Sequence, residues 1–215
     1  MGFILNLKND LKEKYISALI RRKTMLTPPR IESLKNLAHR IDEEGIPGDF
    51  VECGVYRGGS AALVAQVATR SRFQRNAWLF DVFQGMPPAT SLDGPDAVNW
   101  VGNLRSSPEK VGRLLRRVGV DMDRVHIVPG LFQDTFPTVH LKQIAFLNID
   151  ADWYESVKLC LEKFYDAVAP GGFVSFDDYG AWPGCRLAVD EFFERRRLPY
   201  KLVPVDPEAC WFQKR

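Results

Sequence analysis

The sequence predicts an α/β domain built on a mostly parallel sheet, and three features predict it. Short apolar runs alternate with stretches of helical spacing from residue 49 to residue 197. Repeated βα units of this kind give a parallel sheet covered by helices. Two runs, Ile144-Ala145-Phe146-Leu147-Asn148-Ile149 and Phe173-Val174-Ser175-Phe176, end directly in acids. The chain then closes with two extended segments around Asp206-Pro207-Glu208 and no helix between them, which makes the last pair an antiparallel hairpin.

The elements follow in order. Phe3, Leu7, Leu11, Tyr15 and Leu19 recur at helical spacing among Lys8, Lys12, Lys14, Arg21 and Arg22. Residues 1–26 are therefore an amphipathic helix that packs as a lid on the domain or against a second subunit. The same stripe would suit a membrane surface, a less common use. Residues 27–215 form the main domain. A helix starts after Thr27 as N-cap, with Pro28 or Pro29 in its first turn, and stops at Gly45. Residues 49–53 are the first strand, 58–69 a helix and 77–81 the second strand. Residues 82–106 are long and rich in Gly, Pro, Asn and Ser, as in a functional lid or a disordered segment. Ser107-Pro108-Glu109 opens a helix that ends at Gly119. Residues 125–128 and 144–149 are strands three and four. A helix spans 154–168 and is ended by Pro170-Gly171-Gly172. Residues 173–176 are the fifth strand, 184–197 a helix, and 200–205 with 209–212 the hairpin.

Composition narrows the class. The 215 residues, 46% hydrophobic and 26% charged, suit one globular domain with a good core. A formal charge of +2 gives no footprint for nucleic acid. No apolar run approaches membrane-spanning length, and Met1 to Leu7 lack the pattern of a signal peptide. Cys53, Cys160, Cys185 and Cys210 contain no CxxC pair. They read as reduced thiols of a cytoplasmic protein, Cys53 as a small buried hydrophobe.

Consecutive parallel strands end on one edge, where ligands bind in open α/β sheets. Asp150, Asp177 and Asp178 would meet there. Three oxygen ligands without His or Cys suit a hard cation such as Mg²⁺. The first strand runs into Glu52-Cys53-Gly54-Val55-Tyr56-Arg57-Gly58-Gly59-Ser60. This is no P-loop, since no Lys follows Gly59, and its GxxxGG spacing is not that of a dinucleotide turn. The acidic Glu52 suits a cofactor with a cationic amine and no phosphate, as S-adenosylmethionine is. Gly54 and Gly59 would let the backbone approach that ligand, with Val55 and Tyr56 between them. Ser60 opens the helix, where a methionine carboxylate would sit. Without a ligand the same stretch is a tight strand-to-helix turn. Asp81 ends the second strand, where a carboxylate accepts from ribose hydroxyls. After the third strand, Pro129-Gly130-Leu131-Phe132-Gln133-Asp134 lies beside the same crevice, with Gly130, Phe132 and Gln133 placed against an adenine.

Three stretches together resemble the TylF/MycF (macrocin) O-methyltransferase family. They are Gly45-Ile46-Pro47-Gly48-Asp49-Phe50-Val51-Glu52-Cys53-Gly54-Val55 with Arg57-Gly58-Gly59-Ser60, then Phe80-Asp81-Val82-Phe83-Gln84-Gly85-Met86-Pro87, then Phe176-Asp177-Asp178-Tyr179 with Pro183-Gly184-Cys185-Arg186. The resemblance implies a class I methyltransferase fold, a Rossmann-like three-layer sandwich whose seven-stranded sheet has an antiparallel last strand. It implies S-adenosylmethionine, Mg²⁺, a homodimer and sugar hydroxyls of natural products as acceptors. By matching positions, Asp150, Asp177 and Asp178 take the metal-ligand roles, Glu52, Gly54 and Ser60 the cofactor's first loop, and Asp81 the ribose position. The N-terminal region is shorter than in macrolide-modifying members, and Trp153 stands where an aliphatic residue is expected, which would reshape the acceptor floor.

The expected reaction is in-line displacement at the sulfonium methyl by an acceptor oxygen. Two adjacent oxygens on one cation favour a vicinal sugar diol or a catechol. Asp150 is the expected general base, with Asp152 on the same side of an extended segment as the alternative. Arg186 is expected to pair with Asp177 or Asp178. Trp182, Trp153, Tyr179 and Tyr56 line the acceptor pocket or the core. His39, His126 and His140 fall away from the crevice. Three competing readings are a catechol-type phenolic O-methyltransferase, a metal-dependent hydrolase using the acids, and a non-catalytic cofactor-binding module.

Overall fold

The structure, a computed structural model, describes residues 2–215, and the side chains of residue 11 and of residues 13–215. Met1 and the side chains of Phe3 and Leu7 in the N-terminal stripe lie outside these. Two helices, α1 (Gly2–Arg21) and α2 (Pro28–Glu43), come first. Thr27 holds the N-cap position of α2, and Pro28 takes the first helical position, where its missing N–H goes unmissed. The Thr27 hydroxyl does not cap; it donates to Asp206 Oδ2, 2.8 Å away.

Next come β1 (Asp49–Cys53), α3 (Gly59–Arg70), β2 (Ala77–Asp81), α4 (Pro108–Arg117) and β3 (Val125–Pro129). The short α5 (Phe132–Thr135), β4 (Ile144–Ile149), α6 (Tyr154–Phe164), β5 (Val168–Phe176), α7 (Pro183–Arg195), β6 (Val203–Pro204) and β7 (Cys210–Gln213) complete the chain. Among the described residues they form one seven-stranded sheet in the order β3-β2-β1-β4-β5-β7-β6. β1 to β5 pair in parallel, and β7 runs antiparallel to both β5 and β6. Alternation along the strands sends Phe50, Leu79, Phe146 and Phe173 to the face covered by α1 to α4. It sends Val51, Phe80, Leu147 and Phe176 to the face covered by α6 and α7. β4 lies at the centre, and all six of its residues are buried, which explains its unbroken apolar run. This is the three-layer sandwich the sequence predicts.

Two boundaries differ from expectation. The helix over 154–168 ends at Phe164, and β5 begins at Val168, so Pro170-Gly171-Gly172 lies inside a strand. The register jumps there, from Ile144 opposite Val168 to Phe146 opposite Phe173. Gly171, at φ +82°, supplies the left-handed residue that such a bulge needs. Its N–H donates to the Lys214 carbonyl, which keeps the bulge tied to the chain's end. The first hairpin strand is also short, only Val203–Pro204, because proline removes a ladder donor.

Residues 82–106 are folded rather than disordered. They carry two 3₁₀ turns, Ser91–Asp93 and Pro95–Trp100, and pack Met86 and Ala97 onto Trp153. All four cysteines are free and buried. No helix among the described residues is long and apolar enough to cross a membrane.

Candidate active site

The strand order reverses between β1 and β4, and a crevice opens outside their C-terminal ends. Two cavities fill it. One, of about 320 Å³, is lined by Gly54, Val55, Tyr56, Asp81, Gly130, Phe132 and Gln133, among others. The other, of about 520 Å³, is lined by residues 23–27, Arg30, Ser60, Trp100, Asp177, Asp178, Trp182 and Glu208. Val55, Tyr56, Leu104, Asp150 and Asp152 line both. The two cavities therefore meet at a pair of acids.

The first cavity is shaped by backbone. Where β1 ends, Gly54 passes so close to β4 that a Cβ there would stand 1.6 Å from the Asp150 carbonyl oxygen. Its φ of +93° also excludes an ordinary side chain. The loop that follows is held by Asp81. Its Oδ2 accepts the backbone N–H groups of Val55 and Tyr56, both at 2.7 Å, and its Oδ1 accepts that of Phe83 at 2.5 Å. Asp81 thus organises the glycine loop itself, with spare lone pairs for a ligand. Burial raises its pKa, against the pull of those three N–H groups. Among the described residues, Tyr56, Phe83, Leu104 and Asp152 account for four of the six non-glycine residues with positive φ. Backbone strain is concentrated at this crevice, as it commonly is at functional sites.

Glu52 and Gly59 line neither cavity. Glu52 is fully buried, beside Asn148 and the Ser60 hydroxyl, and its Oε2 has no partner. Burial pushes this carboxyl up to about 8. It faces the first loop through Ser60 rather than directly. Gly59 gives room to the N-terminal segment: its N–H donates to the Lys23 carbonyl at 3.1 Å, and a Cβ would lie 2.6 Å from Thr24 Cβ.

The second cavity is shaped by side chains. One oxygen each from Asp150, Asp177 and Asp178 lies within 4.8 Å of the other two. Burial, then neighbouring carboxylates, holds Asp150 and Asp178 well above the usual carboxylate range. Burial brings Asp177 to about 6, with Arg30 pulling the other way. Burial and then the charge of Asp177 push Asp152 to about 7. Such a cluster of hard, mutually repelling oxygen donors fits a small divalent cation. Asp152 stands beside the group, with its Oδ1 accepting the Trp182 indole N–H at 3.0 Å. Trp182 in turn meets Trp153 and Trp100 edge to face.

The structure corrects the expectation for Arg186. It is exposed, donates to the Tyr179 carbonyl at 3.2 Å and lies over the Tyr179 ring. Asp177 pairs instead with Arg30, at 2.8 Å, from the first turns of α2. Arg30 also pairs with Asp206 at 2.7 Å and with Glu208. Tyr179 lines neither cavity and donates to Asp190. His39, His126 and His140 line neither cavity, and His126 stacks on Trp78.

Two important residues escaped sequence reasoning. Nothing marks a buried Arg30 in a helix-opening Pro-Pro-Arg. Asp93 did leave a signal, because Thr90-Ser91-Leu92-Asp93 has the spacing of a capping box. Asp93 is 1% exposed. One oxygen closes the capping box, and the other accepts the Tyr154 N–H at the start of α6, at 2.7 Å. It fastens the 82–106 segment to the start of α6.

The macrocin-O-methyltransferase (TylF) family model matches residues 19–214. The chain is 33% identical over 199 residues to the mycinamicin III 3''-O-methyltransferase of Micromonospora griseorubida, covering 89% of this chain and 78% of that protein. It is 32% identical over 196 residues to the 8-demethyl-8-(2,3-dimethoxy-alpha-L-rhamnosyl)-tetracenomycin-C 4'-O-methyltransferase of Streptomyces olivaceus, covering 88% and 75%. The solved structure of the O-methyltransferase NovP superposes with a TM-score of 0.78 at 30% identity, covering 89% of this chain and 82% of that one. With the cofactor-type loop, the acidic group and the strand order in agreement, the chain belongs to the macrocin-O-methyltransferase (TylF) family and is an S-adenosylmethionine-dependent O-methyltransferase.

Proposed function

We propose that this enzyme methylates a hydroxyl of a sugar carried by a small-molecule acceptor, with Mg²⁺ held by Asp150, Asp177 and Asp178. The observation that carries the reading is the position of Asp150 and Asp152 on the boundary shared by the two cavities. A methyl donor in the first cavity and an acceptor in the second would meet at these acids. The second cavity supports a sugar over a catechol. It is wide, its walls include the indoles of Trp100 and Trp182, and Lys23, Thr24, Thr27, Arg30 and Asp96 give it polar groups. Aromatic faces with polar groups around them suit a sugar ring, whereas a catechol calls for a narrow apolar slot. The name of the tetracenomycin relative, which specifies a rhamnosyl group, points the same way.

In this reading Gly54, Val55 and Tyr56 receive the methionine end of S-adenosylmethionine and Asp81 meets the ribose, while Ser60, expected from sequence beside the carboxylate, lines the second cavity. Gly130, Phe132 and Gln133 flank the adenine. A hard cation, when held by the three acids, lowers the cost of removing a proton from a hydroxyl. Asp152 takes that proton. It stands outside the close group of three, and Trp182 fixes one of its oxygens, which orients the carboxylate for general-base work. Asp150, the base expected from sequence, sits within the cation group and is better suited to holding the ion. Residues 1–26 act as a lid, since Lys23, Thr24 and Met25 wall the second cavity.

The test is calorimetric titration with S-adenosylmethionine, in Mg²⁺ and again in EDTA, followed by methyl-transfer assays with vicinal-diol glycosides and with catechols. The expected result is cofactor binding in both conditions and a Mg²⁺ requirement that appears only with acceptor, glycosides being preferred. Turnover confined to catechols would overturn the acceptor assignment. Turnover with glycosides at full rate in EDTA would overturn the role of the ion.

A further inference from the structure

A cation site made of Asp150, Asp177 and Asp178 could in principle take any hard divalent ion, and the surroundings of the three acids bear on which. In two of the three, one oxygen is already engaged by the protein. Arg30 Nη1 donates to Asp177 Oδ2 at 2.8 Å. The Asp152 backbone N–H donates to Asp178 Oδ2 at 3.3 Å. Among the described residues no second donor reaches either carboxylate. Arg30 is itself fixed, with its side chain 8% exposed. Its Nε donates to Asp206 Oδ2 at 2.7 Å, and its Nη2 donates to Glu208. Asp206 is anchored in turn by the backbone N–H groups of Glu208 and Ala209 and by the Thr27 hydroxyl. One guanidinium, held by the hairpin turn and the start of α2, is thus pinned behind Asp177.

We infer, on the proposed reading of these acids as a cation site, that Arg30 is a positioning residue. It confines Asp177 to ligation through a single oxygen and so biases the site toward Mg²⁺ and against Ca²⁺. Mg²⁺ requires near-octahedral geometry and readily keeps water in its remaining positions. Ca²⁺ takes six to eight oxygens and gains from carboxylates that offer both of theirs. A cation spanning both Asp177 oxygens would lie against a guanidinium that cannot lose its charge. Single oxygens from Asp177 and Asp178 leave more of the ion's positions to water and to acceptor oxygens. A salt bridge that merely fastened the hairpin would have no influence on the choice of ion.

The experiment titrates the full chain with Mg²⁺ alone and with Ca²⁺ alone by calorimetry, for the wild type, Arg30→Met and Arg30→Lys, with thermal unfolding as a folding control. Arg30→Met should raise Ca²⁺ affinity relative to Mg²⁺ at least about fivefold. Arg30→Lys, which keeps the charge but cannot make all three contacts, should move the ratio less than Arg30→Met does. An unchanged ratio in folded Arg30→Met overturns the inference. Should Arg30→Met fail to fold, Asp206→Asn loosens the same guanidinium and should move the ratio in the same direction; no movement there also overturns it. Wild-type protein that binds neither ion overturns the cation reading as well, whereas Mg²⁺ binding with a fixed ratio overturns only the role of Arg30.

Discussion

The two cavities that meet at Asp150 are built in different ways. The first, the proposed cofactor side, is made by backbone turns at strand ends, with Gly54, Asp81 and Gly130 each closing a βα junction. The second, the proposed acceptor side, is made by side chains brought from far apart; the Arg30–Asp206 pair spans 176 residues. A turn restricts the sequence at its own position, so the first construction leaves local motifs. An ion pair restricts only charge and reach, so the second leaves few. The first is also the more rigid, since little backbone displacement is possible without breaking the sheet. The acceptor side can change by substitution at its rim, which suits a family whose members differ in acceptor.

The largest expected effect comes where the two constructions touch. Gly54→Ala places a Cβ 1.6 Å from the Asp150 carbonyl and at a φ of +93°. Both β1 and β4 would have to shift, and both are buried. The expected loss is about 4 kcal/mol or more, enough to leave much of the chain unfolded. Urea denaturation of purified variant and wild type measures it. A loss below about 1 kcal/mol would show that the strand ends can part, and the cofactor side would then be no more rigid than the acceptor side.

Next in size is a loss of turnover with binding kept. Asp152→Asn should lower kcat by about 10²–10⁴-fold while S-adenosylmethionine affinity stays within about threefold. Asp150→Asn should also abolish turnover, but with weaker Mg²⁺ binding. Parallel kinetics and calorimetry separate the two. Equal Mg²⁺ affinity in both variants would erase the division between base and ion holder.

Smaller again is the fastening of the 82–106 segment. Asp93→Ala removes acceptors from the Thr90 and Tyr154 N–H groups in a buried setting, at a cost of about 1–3 kcal/mol. KM for the acceptor should rise and the affinity for S-adenosylmethionine should fall together, because the freed segment carries Met86, Pro87 and Thr90 on the first cavity and Asp96 and Trp100 on the second. A thermal shift without any change in KM would make Asp93 a purely structural clamp.

The same division explains what could be read from the sequence. Strand ends, the glycine turn and the three acids lie in runs where apolar patterning and turn chemistry act over a few residues, and the strand order then brings them to one edge. Arg30 is invisible in the sequence because its partners lie on the C-terminal hairpin, and the mistaken pairing of Arg186 comes from its sequence proximity to Asp177. Helix α7 carries Arg186 outward over Tyr179 instead. Pro170-Gly171-Gly172 has the look of a helix stop, since a bulge inside a strand uses the same residues as a turn. Gly59 suggests a ligand approach for a related reason: a glycine reports close contact without saying with what.

Glu52 offers the most direct test of why a buried acid is kept on the rigid side. Burial holds its carboxyl near 8 in the fold, against an ordinary 4.5. Between those values the folded chain retains a proton that the unfolded chain has released. Stability is therefore whole below the lower value and declines as pH rises toward the upper one, by at most about 1.4 kcal/mol per pH unit. Glu52→Gln has nothing to titrate and should lose that slope. In the absence of cofactor, the two proteins should be of similar stability near about pH 5, and the variant should be the more stable near about pH 8. Parallel stability curves across the range would mean that Glu52 is not held protonated by the fold. S-adenosylmethionine should narrow the gap at the higher pH, because an ammonium brought to the first loop favours the ionised carboxylate that the variant lacks. A cofactor that stabilises both proteins equally would leave Glu52 as a structural acid hydrogen-bonded to Ser60 and Asn148, with no share in recognising the amine.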